Sequence, residues 1–61
     1  MKNIRLMSVE EVAKAIDSSP AYIYNALSRG IFPIRAKKRG RRVLFLNSEV
    51  EEYINELPDY E

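Results

Sequence analysis

Sixty-one residues support one compact domain and no more, because a chain this short buries too small a fraction of its surface to sustain two cores. The absence of cysteine and histidine removes disulfides, thiolate and imidazole metal ligands, and the Ser-His and Cys-His nucleophile pairs. Net charge is only +1, yet residues 18–46 hold seven lysines and arginines and no acid, so that block carries +7 against −6 for the rest, and one basic and one acidic face are expected.

Residues 5–7 read as a short strand or an extended lead-in. Ser8 and Glu11 then stand in the S-x-x-E spacing of a capping box, in which each side chain satisfies a backbone donor that the first helical turn leaves open. Val9, Val12, Ala13 and Ile16 repeat at i, i+3, i+4 and i+7, with Glu10, Glu11 and Lys14 outside the stripe, and predict a first helix over residues 9–16. After Asp17 and Ser18, Ser19 reads as the N-cap of a second helix with Pro20 at its first position, where a missing N–H costs nothing. That helix runs to Ser28 or Arg29 and stops at Gly30, the residue type that enters the left-handed conformation most readily. Ile23, Ala26 and Leu27 share one side of it. Ala21, Asn25 and Ser28 lie opposite, flanked by Tyr22, Tyr24 and Arg29, and no acid stands on that outer face.

Pro33 excludes a helix interior in the next stretch. Residues 34–36 can pair with residues 43–46 as a hairpin around Lys37, Lys38, Arg39, Gly40, Arg41 and Arg42, with Gly40 as the permissive turn residue. The tip so defined holds five positive charges in six residues. Asn47 is placed to cap a third helix, Glu49 suits the positive end of its dipole, and Val50, Tyr53, Ile54 and Leu57 form its inward stripe up to Pro58. Phe45 and Tyr53 are assigned to the core.

An apolar fraction of 46% with 31% charged residues is that of a folded globular chain. No uninterrupted apolar run exceeds four residues, so neither a membrane-spanning helix nor a signal segment is expected and the cytoplasm is the default location. Three short helices and a hairpin leave little room for an enzyme's cleft, and Glu51, Glu52 and Glu56 read as a solvated helix face. With no phosphate-cradling glycine loop or metal motif in the chain, no enzymatic activity, cofactor or metal is expected.

Two short helices across a turn of about three residues make a helix-turn-helix unit, whose second helix can lie in the major groove of DNA, and the basic hairpin follows it directly as a wing. Asn25 can pair bidentately with adenine and Arg29 with guanine, while Tyr22, Tyr24 and Ser28 can donate to phosphate oxygens. Lys37, Lys38, Arg39, Arg41 and Arg42 supply sequence-independent attraction. Structural roles compete at three positions: Tyr24 can pack with its hydroxyl at the surface, Asn25 can be a solvated helix residue, and Arg29 can complement the negative helix C-terminus.

The runs Leu6-Met7-Ser8-Val9-Glu10-Glu11-Val12-Ala13, residues 19–24, Arg29-Gly30-Ile31-Phe32-Pro33 and residues 40–54 resemble the excisionase and AlpA-type prophage regulators, small MerR-like winged-helix proteins, over roughly residues 6–57. The most specific parts are the Glu-Val-Ala of the first helix, the Gly-x-x-Pro after the second, and the Gly-Arg-Arg-Val-x-Phe-x-x-Ser-Glu-Val block from Gly40 to Val50. The fold class expected is α+β: a small winged helix-turn-helix over residues 1–61, with three helices and a two-stranded β-hairpin wing. The resemblance implies DNA contacts from Pro20, Ala21, Tyr22 and Asn25 and from the wing around residues 39–42. Two positions depart from the family pattern. Asp17 stands where glycine is usual and Ser18 where an apolar residue is usual; Asp17 can take the left-handed conformation at some cost, and a looser or differently packed turn is expected.

The expected function is sequence-specific binding of double-stranded DNA for a phage or mobile element, as a transcriptional regulator or as an excisionase beside an integrase or recombinase. One helix in one groove reads only a few base pairs, so a free monomer that assembles cooperatively on repeated DNA sites is expected. The resemblance implies a C-terminal extension in many excisionases, and an end four residues past Leu57 tilts the expectation toward the regulator. The alternatives are a protein-interaction module built on the acidic third helix, and an RNA-binding protein that uses the basic hairpin.

Overall fold

In the computed structural model, which describes residues 3–60, the chain order is β1 (Leu6–Ser8), α1 (Val9–Ala15), α2 (Pro20–Ser28), β2 (Ala36–Arg39), β3 (Arg42–Leu46) and α3 (Asn47–Asn55). Met1, Lys2 and Glu61, which the expected domain of residues 1–61 includes, lie outside the described residues.

The capping box starts α1. The Glu11 N–H donates to Ser8 Oγ at 3.1 Å, and the Ser8 N–H donates to Glu11 Oε1 at 2.9 Å. That hydrogen bond from the Ser8 backbone, helped by Arg5 Nη1 at 3.5 Å from the other carboxylate oxygen, holds the Glu11 carboxyl below the usual carboxylate range. Both α1 and α2 end in a Schellman motif. The Ser18 N–H donates to Ala13 O at 2.7 Å and the Asp17 N–H to Lys14 O at 3.4 Å; the Ile31 N–H donates to Ala26 O at 3.0 Å and the Gly30 N–H to Leu27 O at 3.1 Å. The motif needs a left-handed residue after the cap, and Asp17 (φ 58°) and Gly30 (φ 71°) supply it. The turn between the helices is therefore closed by two backbone hydrogen bonds rather than loose, and Ser18 stays exposed without joining the core. One residue later Ser19 caps α2 as its sequence predicts, accepting the Tyr22 N–H at 3.2 Å, with Pro20 in the first turn.

The sheet is antiparallel, in the order β1-β3-β2, so the winged α+β helix-turn-helix architecture stands with one strand more than the hairpin alone. The hairpin is longer and its loop shorter than predicted. Ala36 pairs with Phe45, Lys37 with Leu44, Lys38 with Val43 and Arg39 with Arg42, leaving only Gly40 and Arg41 in the turn. Gly40 has φ 61° and Arg41 does not have positive φ, the pattern of a two-residue type II′ turn, whose twist matches that of the flanking strands. Lys37, Lys38, Arg39 and Arg42 are thus strand residues and not loop residues. Ile34 lies outside the strand and is 3% exposed, packed in the core.

The third helix departs from its prediction at both ends. Leu46 is its N-cap, and no side chain caps it. Asn47 is the next register position of the β1–β3 ladder, opposite Arg5, and its amide is taken by that ladder: the Arg5 N–H donates to Oδ1 at 2.9 Å, Nδ2 donates to Asn3 O at 2.8 Å, and the Asn47 N–H donates to Arg5 O at 3.0 Å. At the other end, the Glu56 and Leu57 N–H groups donate to carbonyls three residues back, Tyr53 O and Ile54 O, both at 3.2 Å. Pro58 disfavours helical geometry at Leu57, so α3 stops at Asn55 and its apolar stripe is cut short. Val50 is buried and Tyr53 half-buried, but Ile54 and Leu57 are exposed.

The core lies where α1, α2 and α3 meet one face of the sheet. Met7, Val9, Val12, Ala13, Ile23, Ile34, Phe45 and Val50 form it. Phe45 is fully buried, worth about 1.5–3 kcal/mol in apolar transfer, and meets Phe32 edge to face with ring centroids 5.6 Å apart and planes at 66°. Among the described residues no helix is long and apolar enough to cross a membrane.

Candidate nucleic-acid interface

Burial of Ile23 and Ala26 fixes the rotation of α2, since a helix that turns these inward must turn the positions about half a revolution away outward. Ala21, Asn25 and Ser28 are accordingly exposed. Tyr22 and Arg29 stand on one flank of this ridge and Tyr24 on the other. Pro20, at the first turn, is half-buried. The outward ridge has a hydroxyl, an amide and a methyl along it, with an aromatic ring on either side.

In the wing, Lys38, Arg39, Arg41 and Arg42 are exposed and Lys37 is half-buried, a difference set by its place opposite the buried Leu44. Side chains alternate across a strand, so Lys37, Arg39 and Arg42 share one face of the hairpin while Lys38 takes the other. Arg39 and Arg42 lie directly across from each other, with Arg41 in the turn beyond them. Three guanidinium groups are thereby gathered at one end of the hairpin, and among the described residues no carboxylate is paired with them.

The decisive geometry is between the two parts. Tyr24, on the wing-side flank of α2, lines one recess of about 250 Å³ together with Arg41, Arg42 and Val43 of the wing and Ser8, Val9 and Glu10 of the first helix's start. Side chains seventeen or more positions apart in sequence are therefore neighbours on one surface. On the opposite flank, Tyr22, Asn25, Ala26, Arg29 and Ile31 line a smaller recess of about 100 Å³. One recess thus takes in the flank of α2 with Tyr22, Asn25 and Arg29, and the other joins the Tyr24 flank to Arg41 and Arg42, while Lys37, Lys38 and Arg39 lie along the hairpin outside both and Lys38 faces the other side. Tyr24 is 50% exposed and does not join the hydrophobic core, so its ring and hydroxyl stand open on this surface.

Two residues of this surface are missing from the sequence reading. Glu10 brings an acid to the recess of Arg41 and Arg42. Its position in the first turn of α1 explains it as a helix-dipole residue, and nothing local in the sequence shows that the wing folds back beside it. Ile31 follows the Gly30 that ends α2; an apolar residue just after a terminating glycine is the available signal, because the Schellman motif returns that residue toward the helix. The acids of α3 gather elsewhere. Glu49, Glu52 and Glu56 line a recess of about 380 Å³ with Pro33, Ile34, Arg35 and Tyr53, where Arg35 is the one cation. Charge separation along the chain thus persists on the surface, with Glu10 and Arg35 as exceptions of opposite sign.

Residues 6–58 match the family model described as a helix-turn-helix domain. No curated protein and no solved structure matches the chain.

Proposed function

The chain belongs to the helix-turn-helix domain family, and on that premise we propose that it is a sequence-specific double-stranded DNA-binding protein of a phage or mobile element. The second helix lies in the major groove, with Asn25 and Arg29 on base edges and Pro20, Ala21, Tyr22, Tyr24 and Ser28 against the groove wall and phosphates. The wing lies on the adjacent backbone or minor groove through Lys37, Lys38, Arg39, Arg41 and Arg42. The whole of residues 1–61 acts as one domain in the cytoplasm, where the DNA is. It works as a transcriptional regulator or as an excisionase beside an integrase, and it is a free monomer that assembles cooperatively on repeated sites. The reading carries no catalytic step.

One observation carries this reading: Tyr24 of α2 and Arg41 and Arg42 of the wing share a recess, so the helix and the cations can engage one duplex at once. Selection of bound sequences from a pool of random duplexes, followed by footprinting on the enriched motif, tests it. A short motif, protection of major-groove positions across a few base pairs and protection of the flanking backbone are expected. Failure to enrich any motif, or displacement of the duplex by single-stranded RNA of the same sequence, overturns it. Regularly spaced copies of the motif beside a recombination site favour the excisionase role; a lone copy in a promoter favours the regulator.

A further inference from the structure

Ile31 is 59% exposed on the flank of α2 that carries Tyr22, itself 53% exposed, and Arg29. Its backbone explains its place. As the residue after Gly30 it is tied by its N–H to Ala26 O, which turns the chain back against the last turn of α2. The backbone hydrogen bond to Ala26 O and the left-handed Gly30 close the helix end, and most of Ile31 is left in solvent beside Asn25.

We propose that the recess lined by Tyr22, Asn25, Ala26, Arg29 and Ile31 takes the C5-methyl group of a thymine, which makes Ile31 a specificity-determining residue; the inference rests on the DNA-binding reading above. Size selects the group first. At about 100 Å³ the recess is small and open to solvent, with room for a methyl and the ring edge bearing it. Chemistry selects it second. Ile31 and the ring of Tyr22 offer exposed apolar surface, and the thymine methyl is the one apolar group on the major-groove edges of the base pairs. The rim supplies the register: Asn25 and Arg29 match adenine and guanine edges, so the methyl belongs to the pair that Asn25 reads or to its neighbour.

The test replaces each thymine of the selected motif, one at a time, with deoxyuridine, which deletes the methyl and keeps every hydrogen-bonding group. Binding by the unaltered protein should weaken about fourfold at one or two positions, the effect of losing one buried methyl-sized contact. Ile31→Ala should bind the thymine motif about fourfold more weakly and lose the distinction between thymine and deoxyuridine there. If the unaltered protein binds the motif specifically and tolerates deoxyuridine at every position, or if Ile31→Ala keeps the distinction, the recess has another role and the DNA-binding reading stands. If no motif is enriched from random duplexes, both fail together.

Discussion

Replacing Arg41 and Arg42 with alanine tests the wing most directly, because it removes two of the three guanidinium groups that the register collects at the hairpin end while leaving the buried face of β3 intact. With the four exposed wing cations Lys38, Arg39, Arg41 and Arg42 each neutralising one phosphate, log affinity should fall with log salt at a slope near −3.6, about 0.9 per contact. Between 50 and 200 mM salt the unaltered protein should then lose about 150-fold in affinity, and the double variant, with a slope near −1.8, only about 12-fold. Because phosphates carry no sequence information, the ratio of affinities for the selected motif and a scrambled duplex should stay unchanged. Fluorescence anisotropy titrations of both duplexes across that salt range measure slope and ratio together. A double variant that keeps the full slope refutes the placement of the wing on the backbone. A changed ratio at constant slope would assign the arginines to base reading instead.

Asn25→Ala should do the reverse, leaving the salt slope in place and costing roughly 1–3 kcal/mol at the cognate motif with relaxed preference at one or two base pairs, as read by competition with singly substituted duplexes. Asp17→Gly should stabilise the fold: it relieves a left-handed non-glycine residue, about 1–2 kcal/mol, against about 0.4–1 kcal/mol of added chain entropy. The net of about 0.5 kcal/mol raises Tm by about 2–4 °C in a thermal melt, and a lower Tm would show that the aspartate side chain contributes something that its backbone angle does not reveal. Asn47→Ala should cost about 1–2 kcal/mol through two lost side-chain hydrogen bonds and should speed amide exchange at Arg5, whose N–H loses its acceptor. The Glu11 carboxyl is held below its unfolded value chiefly by the Ser8 N–H, so its contribution is present above the unfolded carboxylate pKa and is lost as pH falls through the lower folded value. The Tm difference between the unaltered protein and Glu11→Gln should therefore shrink on acidification, and a difference that grows in acid contradicts that assignment.

Legibility in the sequence followed the range of the interaction. The capping box at Ser8 and Glu11, the Ser19-Pro20 start and the Gly30 stop involve partners within five residues, and each formed as its residue types require. Asp17 belongs to the same class: its left-handed angle follows from a helix that must end there, whatever residue occupies the site. Errors arose where a partner forty residues away outbid a local one. Asn47 is a good cap by residue type, but the strand at Arg5 offers its amide two hydrogen bonds and the helix is left with Leu46 as its cap. The hairpin was displaced for a different reason: a two-residue turn at Gly40 and Arg41 sets the register, so the ladder runs from Arg39 and Arg42 to Ala36 and Phe45 and Ile34 packs in the core beyond it. Asn25, Ser28 and Arg29 were readable as outward because α2 is amphipathic, whereas the neighbourhood of Tyr24, Glu10 and Arg41 depends on how the hairpin folds back and leaves no trace in spacing.

The wing's orientation is nonetheless a consequence of the core, and β3 is the link. Phe45 is fully buried on the core face of β3 and Leu44 is buried on the other face, and β3 is paired on one edge with β1 and on the other with β2. A shift of β3 by one residue against its neighbours would carry Arg42 across to the face now occupied by Val43 and Phe45 and at the same time turn Phe45 out of its contact with Phe32. The loss of that aromatic core contact holds β3 in register far more strongly than any interaction among the mutually repelling arginines could. The cations need no partners of their own to be held in place. Leu44 and Phe45, two and three residues along β3, set the position of Arg42, and the register places Arg39 opposite it, which leaves the guanidinium groups available to a polyanion.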